Sequence, residues 1–354
     1  MRDMVKCRLC ASVEEGALVS LTKELIRIKS EAPPGEEGRV GAFVASSINR
    51  KGEDDEVILL GIDIGGTSIK YGVVQDGETM KSGQVPTDLS GPENVADQIA
   101  ALINDMMKSY PVSTVGIGSA GRINSDTGTV TASNLHWNEA PFYAMLKRRI
   151  SLPFVLENDA QAAMAAEWLY GACQGLSDAL YITLGTGIGC GLLLGGRLYR
   201  GGSHVGGEAG HMITHVGGRL CACGQNGCYE QYASAKALSR MAGGRTPVEV
   251  IALLKAGDPE MEAIWQEYLK EVGAGLINLV WLFSPQRIVL GGGLSQAGDF
   301  LLNGLKNCLN KIYGSMGSST AKRICLSKFL NGAGYLGAVA LAEITFKRDE
   351  KGLS

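Results

Sequence analysis

The chain lacks any apolar run approaching the ~18 residues of a membrane-spanning helix, and its N-terminus has no signal-peptide core. It also lacks an excess of positive charge: 33 Lys and Arg against 36 Asp and Glu give a net charge of −3. That balance provides no whole-chain field to draw the protein to nucleic acid or to an anionic bilayer. The expectation is a cytoplasmic protein with neither a nucleic-acid nor a membrane partner. In such a reducing compartment its nine cysteines are expected as buried thiols or metal ligands rather than disulfides.

What is abundant is glycine, 49 of 354 residues, well above ordinary usage. The length is that of two lobes, each large enough to bury a core. Residues 1–56 read differently from the rest. Two amphipathic stretches, Val13–Lys29 and Gly35–Ile48, are separated by Glu31-Ala-Pro-Pro-Gly35, which breaks a helix. A charged run, Lys51–Glu56, reads as a linker. The string LTKELIRIKSEAPPGEEGRVGAFVASSI resembles the start of zinc amidohydrolases of the aminoacylase and desuccinylase type. The metal-binding residues of those enzymes are absent here, so no activity is carried over. Cys7 and Cys10 form an isolated pair, expected as surface thiols.

From Val57 onward the pattern alternates. Val57–Asp63 and Thr67–Val74 read as strands joined at Gly65-Gly66. Leu180–Leu184 and Gly191–Leu194, joined through Gly185-Thr186-Gly187, repeat that plan and divide the chain into two related halves. Helices are expected over Pro92–Ser109, Asp159–Gly171 (alanines on one side), Glu260–Phe283, Phe300–Tyr313 and Tyr335–Phe346, with strands at Ser113–Gly118 and Arg287–Leu290. The alternation implies an α/β architecture.

Three glycine loops fit a nucleotide. In Asp63-Ile-Gly-Gly-Thr-Ser-Ile-Lys70 an acid ends a strand and two residues without side chains follow. Gly65 and Gly66 let backbone N–H groups approach phosphate oxygens, and Thr67 adds a hydroxyl. Asp63 could hold Mg2+ through water, an ion that dehydrates reluctantly. This is not a Walker A loop, because no Gly-Lys-Ser/Thr follows and a strand, not a helix, comes next. Gly185, Thr186 and Gly187 would clamp phosphate from the other half, and Gly292 and Gly293, between a strand and a helix, suit an adenosine pocket. Gly116-Ile-Gly-Ser-Ala-Gly121 matches the dinucleotide fingerprint, but the turn-rich string Arg122–Gly128 follows where a Rossmann unit needs a helix.

His211 with Cys221, Cys223 and Cys228 makes one imidazole and three thiolates, the composition of a closed structural zinc site. Four protein ligands leave no open position, so such a metal shapes a loop and does no chemistry. His204 and His215 lack this company and are expected at the surface. Asp159 follows Leu156-Glu-Asn158 at the start of a helix. It reads either as a cap or as a base accepting a sugar hydroxyl proton in phosphoryl transfer. Asn158, Glu208, His211 and Glu230 offer the dense donor and acceptor set that a polyhydroxylated ligand requires.

Together the strings GIDIGGTSIK, ENDAQAA, LGTGIGCG, GEAGHM, CACGQNGCYEQYAS and GGGLS resemble the ROK (repressor, open reading frame, kinase) family over residues 57–346. The resemblance implies an actin-like ATPase (ribonuclease H-like) fold of two lobes around a central cleft: a small lobe of 57–158 plus 332–354 and a large lobe of 159–331. It implies ATP, Mg2+ and structural Zn2+, with Asp159 as general base, Asn158, Glu208, His211 and Glu230 on the sugar, and Gly121 and Asn134 nearby. His211, Cys221, Cys223 and Cys228 would hold zinc, and Lys70 belongs to the ATP loop. The reaction implied is transfer to the 6-hydroxyl of glucose, by a homodimer or larger homo-oligomer. Gln161, where glucokinases commonly carry asparagine, is similar to N-acetylmannosamine kinases, which makes that sugar the alternative. A non-catalytic sugar-sensing regulator is a further alternative. Repressors of the family carry a winged helix-turn-helix, whereas residues 1–56 lack a basic recognition helix.

Overall fold

One strand plan, used twice, organises the chain in the computed structural model, which describes residues 57–202, 206–329 and 333–347. The features expected in residues 1–56, and His204, lie outside the described residues. The first copy begins with β1 (Ile58–Ile64), β2 (Ser68–Gln75) and β3 (Glu78–Pro86), continues through α1 (Pro92–Met107) to β4 (Val112–Ser119), and later adds β8 (Phe154–Asn158). Between β4 and β8 lie a small antiparallel sheet of β5 (Arg122–Asn124), β6 (Thr129–Ala132) and β7 (Trp137–Ala140), and a short α2 (Phe142–Lys147). The second copy is β9 (Ala179–Leu184), β10 (Ile188–Leu194), β11 (Arg197–Leu198), β12 (Arg287–Gly291) and β13 (Ile324–Leu326). The strand orders are β3-β2-β1-β4-β8 and β11-β10-β9-β12-β13. In each sheet the first three strands run antiparallel and the last three in order along the sheet run parallel.

Local chemistry explains the elements. β1 is buried along nearly its whole length, as a strand covered on both faces must be. Pro92 sits in the first turn of α1, which buries Val95, Ala96, Ile99, Ile103 and Met106 on one stripe. Helices α4 (Ala235–Met241), α5 (Pro247–Lys255) and the 25-residue α6 (Pro259–Phe283) build the second half's outer layer with α7 (Asp299–Ile312) and α8 (Gly314–Arg323). α6 starts on an Asp258 cap and Pro259 and ends at Ser284 in a left-handed conformation.

Two further helices lie between the sheets. α3 (Asp159–Leu169) rides on the second sheet, α9 (Ala333–Lys347) rides on the first, and the two pack on each other. Glycine permits each approach: a Cβ at Gly116 would lie 1.7 Å from the Ala338 carbonyl oxygen, one at Gly191 2.3 Å from that of Ala160, and one at Gly337 2.4 Å from that of Ala162. This accounts for part of the glycine excess by packing. It also corrects the expectation for α3, whose alanines do not line one side: residues Ala160–Trp168 are buried all round. β3, the small β5–β7 sheet and α8 were not anticipated. Their sequences are polar or short, and neighbouring strands supply the order.

Candidate active site

Parallel strands in α/β sheets present ligand-binding loops at their carboxyl ends. Here those ends carry the loop at Gly65–Thr67 after β1, Gly121 after β4, Asn158-Asp159 after β8, Gly185–Gly187 after β9, and Gly292-Gly293 after β12. The Gly65 N–H closes the first tip on the Ser68 carbonyl at 3.1 Å, and the Thr87 hydroxyl ties the Gly65 carbonyl to the end of β3 at 2.7 Å. Asn134 is packed on Gly66, where a Cβ would lie 2.8 Å from the Asn134 carbonyl oxygen. The hydroxyl-bearing Thr67 and Thr186 are both exposed at equivalent hairpin tips. Gly292, at φ +82°, lies directly on Leu184, so the third loop abuts the second. After Gly121, itself at φ +96°, comes strand β5 rather than a helix, as the Rossmann exclusion required.

Asp63, near the end of β1, and Asp159, the first residue of α3, are close enough for the charge of one to act on the other. Each keeps part of its surface open, but most of the surrounding volume is protein. Loss of hydration, reinforced by the Asp63 and Glu208 charges, pushes the Asp159 carboxyl up to about 7, against a backbone N–H bond from Ala160. Desolvation likewise raises Asp63 to about 6, opposed by Lys70, its neighbour across the β1–β2 pair. Asn158 uses both ends of its side chain: Oδ1 accepts from the Ala160 N–H at 2.9 Å and caps α3, while Nδ2 donates to the Gly121 carbonyl at 2.8 Å. The cap reading of Asp159 is thereby corrected: Asn158 is the cap, and Asp159, the first residue of α3, accepts from the Ala160 N–H at 2.8 Å.

The donor atoms of His211, Cys221, Cys223 and Cys228 all lie within 4.8 Å of one another. Two of the thiols are buried, and Gly224 and Gly227 at positive φ turn the loop back on itself. A soft, compact four-donor set fits a tetrahedral zinc ion, whose thiolate bonds are about 2.3 Å long. The His211 ring has two faces of use: Nδ1 is 3.7 Å from Cys221 Sγ and Nε2 is 3.9 Å from Glu208. Glu230 accepts from the Cys221 thiol at 3.0 Å and backs Gly187, where a Cβ would lie 2.7 Å from its carboxylate. The cluster, the second glycine loop and both glutamates are thus one contiguous structure. His215 lies at the surface as expected, but not alone: its ring stacks on Tyr232 at 3.7 Å and its Nε2 lies 3.4 Å from Glu271, so it braces this loop.

Sequence reasoning missed the straps behind the site. Arg200 forms an ion pair with the buried Glu157 carboxylate, joining the chain beyond β11 to the strand that ends at Asn158. Gln161 is buried, donates to the Tyr199 carbonyl at 2.7 Å and accepts from the Leu192 N–H at 3.4 Å. No spacing rule links residues so far apart, and only the sheet-to-sheet arrangement reveals them.

A doubled five-stranded sheet with two helices between its halves is the actin-like ATPase fold. The ROK family model matches residues 59–344. A glucokinase from Streptomyces coelicolor is 35% identical over 309 residues, covering 80% of this chain and 97% of its own. A xylose repressor from Bacillus subtilis is 28% identical over 272 residues, covering 73% of this chain and 71% of its own. Among solved structures, a ROK family glucokinase from Streptomyces griseus in complex with glucose and AMPPNP is 34% identical, with a TM-score of 0.72, covering 81% of this chain and 99% of that one. A putative N-acetylmannosamine kinase from Listeria monocytogenes is 28% identical with a TM-score of 0.69, covering 83% of this chain and all (100%) of that one. The chain belongs to the ROK family.

Proposed function

We propose that this protein is an ATP-dependent sugar kinase that transfers the γ-phosphoryl group to the 6-hydroxyl of glucose. The observation that supports the reading is a pair of acids, Asp63 and Asp159, near enough to influence each other's proton affinity, on a chain whose two sheets each carry a glycine-loop hairpin. In this reading Asp159 accepts the proton of the attacking hydroxyl while Asp63 holds the hydrated Mg2+ of the nucleotide. Gly65, Gly66, Thr67, Lys70, Gly185, Thr186 and Gly187 receive the phosphates, and Gly292 and Gly293 face the adenosine. Asn158, Glu208, His211, Glu230, Gly121 and Asn134 position the sugar. Zinc on His211, Cys221, Cys223 and Cys228 would hold the loop that carries Glu208 and Glu230, with His211 turning its second nitrogen to the sugar. The lobes divide between 158 and 159, with the C-terminal segment from 332 returning to the small lobe. The working form is a homodimer or a larger assembly of the same chain.

N-acetylmannosamine is the second reading, favoured by Gln161. The carboxamide of Gln161, however, is bonded to the backbone of Tyr199 and Leu192, which reduces its value as a sugar-contacting signal. Intact Asp63 and Asp159 argue for catalysis over a sensor-only role. A coupled ADP-release assay with Mg–ATP across glucose, N-acetylmannosamine, mannose and fructose tests all three. Glucose is expected to give the highest kcat/KM. Asp159→Ala is expected to bind sugar but lose about 10³-fold in turnover. Highest turnover on N-acetylmannosamine would move the assignment to that sugar, and no turnover on any sugar would favour the sensor.

A further inference from the structure

Gly334 is the second residue of α9, the helix that returns from the far end of the chain to cover the first sheet. Its backbone is helical and does not enter the left-handed region, so conformation does not call for glycine there. Alanine would ordinarily favour the helix. What excludes a side chain is a single neighbour. A Cβ built on Gly334 would lie 2.0 Å from Asp63 Oδ2, 2.3 Å from Asp63 Cγ and 2.8 Å from Asp63 Cβ, and its three nearest atoms all belong to that one residue. The other carboxylate oxygen, Oδ1, lies on the side of Gly118, a second residue without a side chain, on the adjacent strand β4. Asp63 thus stands in a slot between two glycines at the end of β1.

The slot is tied to the site's other acid. Gly337, three residues along α9, touches the backbone of Ala162, three residues along α3 from Asp159. The N-terminal halves of α9 and α3 are therefore packed on each other, α9 against Asp63 and α3 carrying Asp159 itself. We infer that Gly334 is a positioning residue for phosphoryl transfer: the missing side chain at the start of the last helix sets where the Asp63 carboxylate stands, and so where the nucleotide's metal is received relative to Asp159. The inference rests on the reading of Asp63 proposed above. It adds a constraint from a segment that carries no recognisable nucleotide or sugar motif.

The test is Gly334→Ala in the full-length protein, beside Asp63→Ala and the double variant. In G334A the added methyl must displace the carboxylate. The concentration of Mg2+ giving half-maximal rate should rise and kcat/KM for Mg–ATP should fall, by about tenfold or more for a displacement near 1 Å. Sugar binding without nucleotide, read by intrinsic fluorescence, should be unchanged, a split that a general loss of structure would not produce. G334A should also melt below the wild type, while the drop caused by adding G334A to Asp63→Ala should be smaller, because Oδ2 and Cγ are gone and only the contact with Cβ at 2.8 Å remains. That comparison holds even if G334A is inactive or poorly folded. Wild-type Mg2+ dependence in G334A, or a melting penalty as large in the Asp63→Ala background as in the wild type, would overturn the inference. If Asp63→Ala itself leaves the Mg2+ dependence unchanged, the underlying role of Asp63 fails and the inference falls with it.

Discussion

Asp159 and Asp63 are ordinary carboxylic acids made unusual by where β1 and β8 end. Their raised proton affinity has a definite sign. A base held up at about 7 is protonated below that pH, so kcat/KM for the sugar should fall tenfold per unit as the pH drops beneath it. The Asp63 charge contributes to that rise. Asp63→Asn should therefore move the inflection of the profile to lower pH, alongside whatever rate it loses; a pH–rate profile of residual turnover reads both. An inflection that does not move would place the two side chains too far apart for their charges to interact. The same linkage acts on stability. Both carboxyls bind protons more tightly folded than unfolded, so without ligand their contribution weakens as the pH climbs from about 4 to about 7.

At the scale of elements, the loop Ala209–Tyr232 has little apolar surface of its own to hold it. Ile213, Val216 and Leu220 are exposed, and its shape depends on the cysteine cluster and on the stack of His215 on Tyr232. Glu208 and Glu230 flank the cluster. A Cys228→Ser substitution removes one of the buried donors, and the expected result is loss of bound zinc, measured by atomic absorption at one ion per wild-type chain. The sugar KM should rise by about 10–100-fold, while nucleotide binding at Gly65–Thr67 on the other sheet persists. Unchanged sugar affinity in a zinc-free variant would separate the metal from the glutamates. The signal for this element was legible, since three cysteines in eight residues have few other uses. The brace supplied by His215 was not, because stacking on Tyr232 and pairing with Glu271 depend on where α6 passes.

Across the whole molecule, the two sheets touch chiefly through α3 and α9, and each sheet carries one glycine-loop hairpin. Joint binding of sugar and nucleotide should draw the halves together. Glucose with a non-hydrolysable ATP analogue is expected to reduce the radius of gyration in solution scattering. Each ligand alone at a hundredfold excess over its Kd should stabilise the fold by about 2.7 kcal/mol, and the pair by more than the sum. Joint stabilisation no greater than that sum would argue against a closing cleft. The sequence by itself determined the doubled hairpin plan, the three glycine loops, the four metal-type donors and the acid at the start of α3. Each is a local pattern, carried by neighbours within a few residues. Only the tertiary structure decided that the charge of Asp63 acts on Asp159, that Arg200 straps the second half to the first through Glu157, and that Gly334 makes room for a carboxylate some 270 positions earlier in the chain. These depend on how two sheets and two helices stack, and contacts between distant segments leave no periodicity or spacing in a single sequence.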